Sequence, residues 1–130
     1  MSEENLALAK GIEAAFNRGD VAWILDHIAD DLEFVPQRAA TEGSFQGREG
    51  MRRFLGDNRD SFDVFDVSVA EWLGSGDDVV GVGTIRIKGK GSGIETEVPT
   101  ASVMTIRDGL VVRWRDYVDR DKALKAAGLS

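Results

Sequence analysis

The segment Trp114-Arg115-Asp116-Tyr117-Val118-Asp119 decides how we interpret the fold of this 130-residue chain. The apolar run Leu110–Val112 precedes it by one residue, Arg113, so we predict a strand that continues to Val118. Side chains alternate across a strand, so we predict two faces. The first face carries Val112, Trp114, Asp116 and Val118. The opposite face carries Arg113, Arg115 and Tyr117. The first face is apolar except for a single carboxylate. An acid in such surroundings is either a costly structural ion or a working group.

The N-terminal half has the apolar spacing of helices. Ser2 predicts a helix start, and the left-handed preference of Gly19 predicts its end. A second helix is predicted over residues 21–29, a short strand over Leu32–Pro36, and a third helix after Gly47.

From Phe62 onward the apolar residues recur with a period of two, which is typical of strands. We predict long strands that end near Gly74 and then span Val79–Lys88, Ile94–Arg107 and the segment quoted first, with a short helix after it that ends at Gly128. Nothing alternates strand with crossover helix, so we do not expect parallel strands. The glycines at 81 and 83 predict a bulge or bend. We therefore expect one α+β domain over residues 1–130, with helices on one face of a bent antiparallel sheet.

Composition excludes several classes of function. The net charge is −7, whereas nucleic acids and anionic membranes are bound by basic surfaces, so we expect neither partner. With one histidine and no cysteine, we predict no metal site of the usual zinc kind. No apolar run approaches the roughly 20 residues that span a bilayer, and the acidic N-terminus is unlike a signal peptide. Together with the absence of cysteine, this favours a cytoplasmic protein.

Four segments resemble the framework of the nuclear-transport-factor-2-like superfamily, which includes ketosteroid isomerases, limonene-epoxide hydrolases and SnoaL-like polyketide cyclases. They are Ala14-Ala15-Phe16-Asn17-Arg18-Gly19-Asp20, Ala29-Asp30-Asp31, Gly47-Arg48-Glu49-Gly50-Met51-Arg52-Arg53-Phe54-Leu55 and the segment quoted first. The resemblance implies a cone-shaped, curved antiparallel sheet with the N-terminal helices on its concave face and a central apolar pocket. It also implies a homodimer formed through the outer face of the sheet.

The ketosteroid isomerase pattern is absent from the chain. That family uses a base aspartate, a tyrosine and a protonated acid. The matching positions hold Pro36, Ile12 and Ser102, which cannot do these jobs. The resemblance therefore does not imply steroid isomerisation by that mechanism.

The limonene-epoxide hydrolase pattern is matched only in part. Asp116 falls on one of the two catalytic aspartates of that family, which are bridged by an arginine. The positions of the other aspartate and the arginine hold Gly83 and Ile85, and Arg86 is predicted to point to the other face.

SnoaL-like cyclases use a pocket aspartate as general acid and base, and the resemblance gives that role to Asp116 without a cofactor. It makes Ser102 and Thr100 hydrogen-bond donors in the pocket. We predict a small-molecule enzyme of the cyclase, isomerase or epoxide-hydrolase-like type that acts on a hydrophobic substrate, with Asp116 as the catalytic residue. The predicted substrate-binding residues are Trp114, Ser102, Thr100, Met104, Phe34, Phe54, Phe16 and His27.

Two other interpretations remain open at this point. The chain is a non-catalytic binding module for a hydrophobic small molecule, or Asp116 is a structural group tied to a neighbour such as His27, Trp23 or Ser102. His27 is the only histidine, and its place beside the apolar stripe of the second helix favours packing over acid–base work.

Overall fold

A computed structural model describes residues 2–37 and 43–129. The predicted loop 37–46 therefore lies partly outside the described residues. No helix within the described ranges is long and apolar enough to cross a membrane. The elements, in chain order, are α1 (Glu3–Arg18), α2 (Val21–Asp26), β1 (Ile28–Val35), β2 (Phe45–Gln46), α3 (Gly47–Ser61), β3 (Phe62–Ser75), β4 (Asp78–Gly89), β5 (Glu95–Arg107), β6 (Leu110–Tyr117) and α4 (Arg120–Ala126).

The helix ends have the chemistry that the sequence predicts. Ser2 caps α1, since its hydroxyl accepts a hydrogen bond from the Asn5 backbone N–H at 3.0 Å. Gly19 ends the helix with a left-handed φ of 72°, and Asp20 then caps α2 through the N–H of Trp23. These caps turn the chain sharply between the two helices.

The six strands form one curved sheet in the order β2-β1-β6-β5-β4-β3. The four long strands pair antiparallel, as predicted. However, β1 runs parallel to β6, so the prediction of a wholly antiparallel sheet is wrong. No hairpin joins these two strands, so no local turn imposes an antiparallel direction on β1. The fold is a mixed-sheet α+β architecture that matches the predicted cone.

The boundary between α2 and β1 also differs from the prediction. The second helix ends at Asp26 rather than at residue 29, and the strand begins at Ile28 rather than at Leu32. Ile28 and Leu32 are fully buried in the sheet, and the N–H of Val111 in β6 bonds to the carbonyl of His27. Burial in the sheet therefore outweighs the helical spacing of these apolar residues.

The sheet is packed on both faces. The concave face and helices α1 and α3 enclose the main apolar core, which includes Ile12, Phe34, Phe54, Met104 and Trp114. On the outer face, α4 places Ala123 and Leu124 against a smaller cluster from β4 and β5, namely Val80, Ala101 and Val103.

A register shift alters the predicted alternation of β6. Thr105 pairs with Arg113, but Ile106 pairs with Val111, so Val112 is the extra residue of a bulge. Val111 is fully buried in the core in place of Val112. Val118, predicted on the apolar face, lies beyond the strand and is 57% exposed. Trp114 and Asp116 keep their predicted common face.

The bend predicted from the two glycines is also present. The register of β3 shifts between Val69 and Glu71, where it faces Gly83 and Val82 of β4. A Cβ atom at Gly83 would lie 1.9 Å from the carbonyl oxygen of Ser68, so only glycine permits this close approach. The bulge bends the edge strand towards the helices.

Helix α1 also covers the free edge of the sheet. The side-chain amide of Asn17 donates to the carbonyl of Val67 at 2.7 Å, and its oxygen accepts from the N–H of Val67 at 2.9 Å. These two bonds are those that a neighbouring strand would make, and they satisfy part of an otherwise open edge.

Candidate functional site

A cavity of about 180 Å³ lies between α1, α3 and the concave face of the sheet. Most of its wall is apolar, with contributions from Phe16, Phe34, Trp72, Ile85 and Met104. Among the described residues, few polar side chains lie on its wall, namely Glu13, Gln37, Thr100, Ser102 and Asp116. A small number of polar groups in an apolar cavity is the usual composition of a small-molecule site.

Asp116 lies on this wall, and one of its two carboxylate oxygens accepts hydrogen bonds. The Ser102 hydroxyl donates to its Oδ1 at 2.6 Å, and the Trp114 indole N–H donates to the same oxygen at 3.1 Å. Ser102 is the register partner of Asp116 across β5 and β6, which explains the short contact. Within the described residues Oδ2 accepts no hydrogen bond, so one carboxylate oxygen is fixed and the other is available.

Burial raises the pKa of Asp116 from 3.8 to about 6, because the apolar wall disfavours the ionised form. The hydrogen bonds from Ser102 and Trp114 oppose this rise, since they stabilise the carboxylate. The group therefore titrates near the pH at which a general acid or base is most effective.

Thr100 lies two residues before Ser102 on the same face of β5 and lines the same cavity. It is 3% exposed, and its hydroxyl has no hydrogen-bond partner among the described residues. An unpaired buried hydroxyl is costly, and it is therefore a candidate donor to a ligand oxygen.

The structure brings together all but one of the residues that the sequence predicts for the site. In addition to Asp116, those that line the cavity are Trp114, Ser102, Thr100, Met104, Phe34, Phe54 and Phe16. Phe34 organises the aromatic wall, because its ring meets those of Phe54 and Trp114 at centroid distances of 4.7 Å each.

His27 is the exception and does not line the cavity. Its ring stacks on Trp23 at 3.8 Å between centroids, and its Nδ1 is 2.7 Å from the Trp23 carbonyl oxygen. Neither His27 nor Trp23 contacts Asp116. The histidine is thus used in packing at the end of α2, and of the three suggested partners of Asp116 only Ser102 is observed.

Two polar cavity residues were missed by the sequence interpretation. Glu13 lies on α1 between the core residues Ile12 and Phe16, and burial raises its pKa despite an opposing hydrogen bond from the N–H of Val69. Gln37 follows buried Pro36 and donates to the carbonyl of Pro99 at 3.0 Å. The sequence offers only a weak signal for both, namely a polar side chain directly beside a core residue.

Among the residues that the structure describes, the cavity wall lacks the second half of an epoxide-hydrolase site. Gly83 and Ile85 occupy the positions of the missing partners, and Arg86 lies on the exposed side, where it pairs with Asp66 at 3.1 Å. Across residues 2–37 and 43–129, no group of three acidic, histidine or cysteine side chains could hold a metal ion.

Comparisons with known proteins identify the family and the fold of the chain. A family model for the SnoaL-like domain matches residues 9–114. No curated protein matches the chain.

Solved structures share the fold at low sequence identity. An NTF2-like protein of unknown function from Burkholderia pseudomallei K96243 is 21% identical, covers 98% of both chains and has a TM-score of 0.81. TerC, crystallised with polyporic acid, is 24% identical over 98% of this chain and 100% of its own, with a TM-score of 0.79. A protein from Catenulispora acidiphila DSM 44928 with a ketosteroid isomerase-like fold, in complex with trimethylamine, is 19% identical over 95% and 93%, with a TM-score of 0.77. On the family match and the shared fold, this chain belongs to the SnoaL-like family within the NTF2-like fold.

Proposed function

We propose that this protein is a cofactor-independent enzyme that moves a proton on an apolar, carbonyl-containing small molecule, with Asp116 as its acid–base group. The observation that carries the proposal is the carboxylate of Asp116 on an apolar cavity wall, with hydrogen bonds to only one of its two oxygens within the described residues. Ser102 and Trp114 fix one oxygen, and the other has no partner within the described residues. Family membership favours the cyclase and isomerase classes of chemistry.

Asp116 and Thr100 have different roles in such a reaction. With a pKa of about 6, Asp116 is mostly ionised at pH 7 and can take a proton from the carbon beside a carbonyl. The Thr100 hydroxyl donates a hydrogen bond to the oxygen on which negative charge then develops. Protonated Asp116 returns the proton at the same or a neighbouring position, so no oxidant or metal is needed. Epoxide hydrolysis needs a second carboxylate and an arginine, which positions 83 and 85 do not supply.

Exchange of hydrogen for deuterium tests this proposal without knowledge of the natural substrate. A cyclic aryl ketone such as 1-tetralone is incubated with the protein in D₂O, and loss of the proton signal beside the carbonyl is followed by NMR. We expect catalysed exchange whose rate rises with pH through about 6. Asp116→Asn should lower the rate by about 10²-fold or more, since one placed proton-transfer group contributes about that much.

The control is Asp57→Asn, which changes an exposed acid on α3 and should leave the rate unchanged. Exchange that persists at the wild-type rate in Asp116→Asn would overturn the proposal.

The alternative is a binding module that holds a hydrophobic molecule without changing it. The predominantly apolar wall supports this function equally, since it provides burial regardless of chemistry. Binding of 1-tetralone with no exchange above the buffer rate would select this alternative. In that case Asp116→Asn should change only the affinity.

We further propose a homodimer through the outer face of the sheet and a cytoplasmic location. Helix α4 covers the part of this face around Val80 and Val103, while the part around Arg113 and Pro99 is exposed. Light scattering should give the mass of two chains, and a mass near 14 kDa would contradict the dimer. Cell fractionation tests the location, which the lack of cysteine supports.

A further inference from the structure

Glu13 is a second carboxylate on the cavity wall, and the acid–base chemistry at Asp116 does not use it. It lies on the inward face of α1, one turn before Asn17, and its side chain is partly buried. Its one hydrogen bond within the described residues comes from the backbone N–H of Val69 and is 3.5 Å long. A bond at that limit is weak, so the carboxylate retains most of its capacity to accept hydrogen bonds.

Closing the edge of the sheet does not account for Glu13. Asn17 already pairs with the N–H and the carbonyl of Val67, at 2.9 and 2.7 Å. These bonds have good geometry, whereas the contact of Glu13 with Val69 is long. Glu13 is only partly buried and Lys10 also stabilises its charge, but the side chain lines the cavity and the sheet edge uses little of its capacity to accept hydrogen bonds there.

The register of the sheet places Glu13 and Asp116 at opposite sides of the cavity. Asp116 lies on β6, whereas Glu13 reaches Val69 on β3, and β5 and β4 lie between them. Three strand spacings amount to about 14 Å in a flat sheet, which the curvature shortens. We therefore assign the two carboxylates to different parts of a ligand.

The wall between these two acids is apolar except for hydroxyls near Asp116. Across the sheet from Asp116, the successive register partners are Ser102 on β5, Gly81 on β4 and Trp72 on β3. A Cβ at Gly81 would come within 3.0 Å of the Trp72 ring, so the glycine lets this ring lie against the sheet. The cavity thus has a polar group at each side and an apolar middle.

We propose that Glu13 is a specificity-determining residue that accepts a hydrogen bond from a hydroxyl group at the end of the ligand remote from Asp116. The preferred ligand is an apolar molecule with a carbonyl at one end and a hydroxyl at the other. A neutral hydroxyl fits this wall better than an ammonium group, because burying a charge costs far more. The inference rests on the proposed function only for the choice of the carbonyl end.

Paired probes test this inference by binding alone. Flavanone and 4′-hydroxyflavanone differ by one hydroxyl, which is remote from the carbonyl, and their affinities are measured by calorimetry. We expect the wild type to prefer the hydroxylated probe by about tenfold or more, as is usual for a hydrogen bond to a charged group. In Glu13→Leu the two affinities should agree within about twofold, because the acceptor is gone.

The controls separate recognition from damage to the fold. Glu4→Leu changes an exposed acid on the same helix and should keep the preference. Asn17→Ala weakens the edge and should lower both affinities together, leaving their ratio unchanged. Asp116→Asn should also keep the ratio, so the inference survives even where the proposed catalysis fails.

Three outcomes would overturn the inference. They are a Glu13→Leu variant that keeps the tenfold preference, a wild type that binds both probes equally, and a wild type that binds neither probe up to its solubility limit. The deuterium-exchange result at Asp116 does not affect any of them, so the two proposals can fail independently.

Discussion

At the scale of single residues, Asp116 shows how a strand can place an acid in an apolar wall at limited cost. Its neighbours Trp114 and Ser102 both donate to one oxygen, which offsets part of the penalty for burying the charge. The remaining penalty appears as a pKa of about 6. The same residue should therefore be visible in the stability of the protein as well as in its chemistry.

We predict that Asp116→Asn alters the dependence of stability on pH. The pKa of Asp116 is higher in the folded state than its ordinary value of 3.8, so the folded state binds the proton more tightly. Its contribution to stability is present at low pH and is lost as the pH rises from about 4 through about 6. The asparagine variant should gain up to about 3 kcal/mol relative to the wild type over that range. Urea unfolding at pH 4 and pH 7 measures this, and parallel pH profiles for the two proteins would contradict it.

A second residue-scale prediction uses two threonines of β5. The buried hydroxyl of Thr100 has no partner in the part of the chain that the structure describes, whereas the Thr105 hydroxyl donates to Asp78 at 2.5 Å. Thr100→Val should stabilise the ligand-free protein by about 1 kcal/mol, and Thr105→Val should destabilise it by a similar amount. Thermal or urea unfolding of both variants checks the opposite signs. A loss of stability in Thr100→Val would show that its hydroxyl has a partner.

At the scale of elements, much of the fold could be predicted from local patterns. The period of two gave β4, β5 and β6 within a residue or two, and the caps at Ser2 and Gly19 gave the bounds of α1. The end of α2 was wrong because Ile28 fits both a helical stripe and a strand. The parallel pairing of β1 is a long-range choice with no local signal.

The site could be predicted to the same extent. Alternation along β5 and β6 is local, so Thr100, Ser102, Trp114 and Asp116 could be placed together from sequence. Glu13 could not be placed there from sequence, because its spacing is that of any polar residue on the flank of an amphipathic helix. Only the crossing of α1 over β3 turns it towards the cavity.

The bulge in β3 leads to an element-scale prediction with an internal control. Gly83→Ala would push a Cβ into the Ser68 carbonyl and should cost about 3 kcal/mol or more. Gly56→Ala in α3 has no heavy atom closer than 3.9 Å and should instead stabilise the protein by about 0.5–1 kcal/mol. Equilibrium unfolding separates the two. A neutral Gly83→Ala would show that the bulge can open freely.

At the scale of the whole molecule, one sheet joins two apolar clusters that lie on its opposite faces. All three tryptophans belong to the concave side, where Trp114 is buried in the cluster and Trp23 and Trp72 pack against it. Leu124 lies in the cluster on the outer face and is 9% exposed. Because β4 and β5 contribute buried residues to both clusters, neither cluster should unfold alone.

We therefore predict that Leu124→Ala lowers stability by about 2–3 kcal/mol and shifts every spectroscopic probe equally. Tryptophan fluorescence reports the concave side and far-UV circular dichroism reports the whole backbone. Their urea midpoints should coincide in the wild type and in the variant. A fluorescence midpoint that stays at the wild-type value would show that α4 and its cluster unfold as a separate unit.

The parallel contact between β1 and β6 has a consequence for how the chain comes to be folded during its synthesis. Glu33 and Arg113, which bond across this contact at 3.1 Å, are 80 residues apart in sequence. When β1 leaves the ribosome, its central neighbour does not yet exist, and Leu32 and Phe34 have no sheet to enter. The apolar residues of β1 therefore cannot enter the sheet until β6, the last strand of the described chain, has been made. We therefore expect the nascent chain to depend on chaperones until β6 is complete.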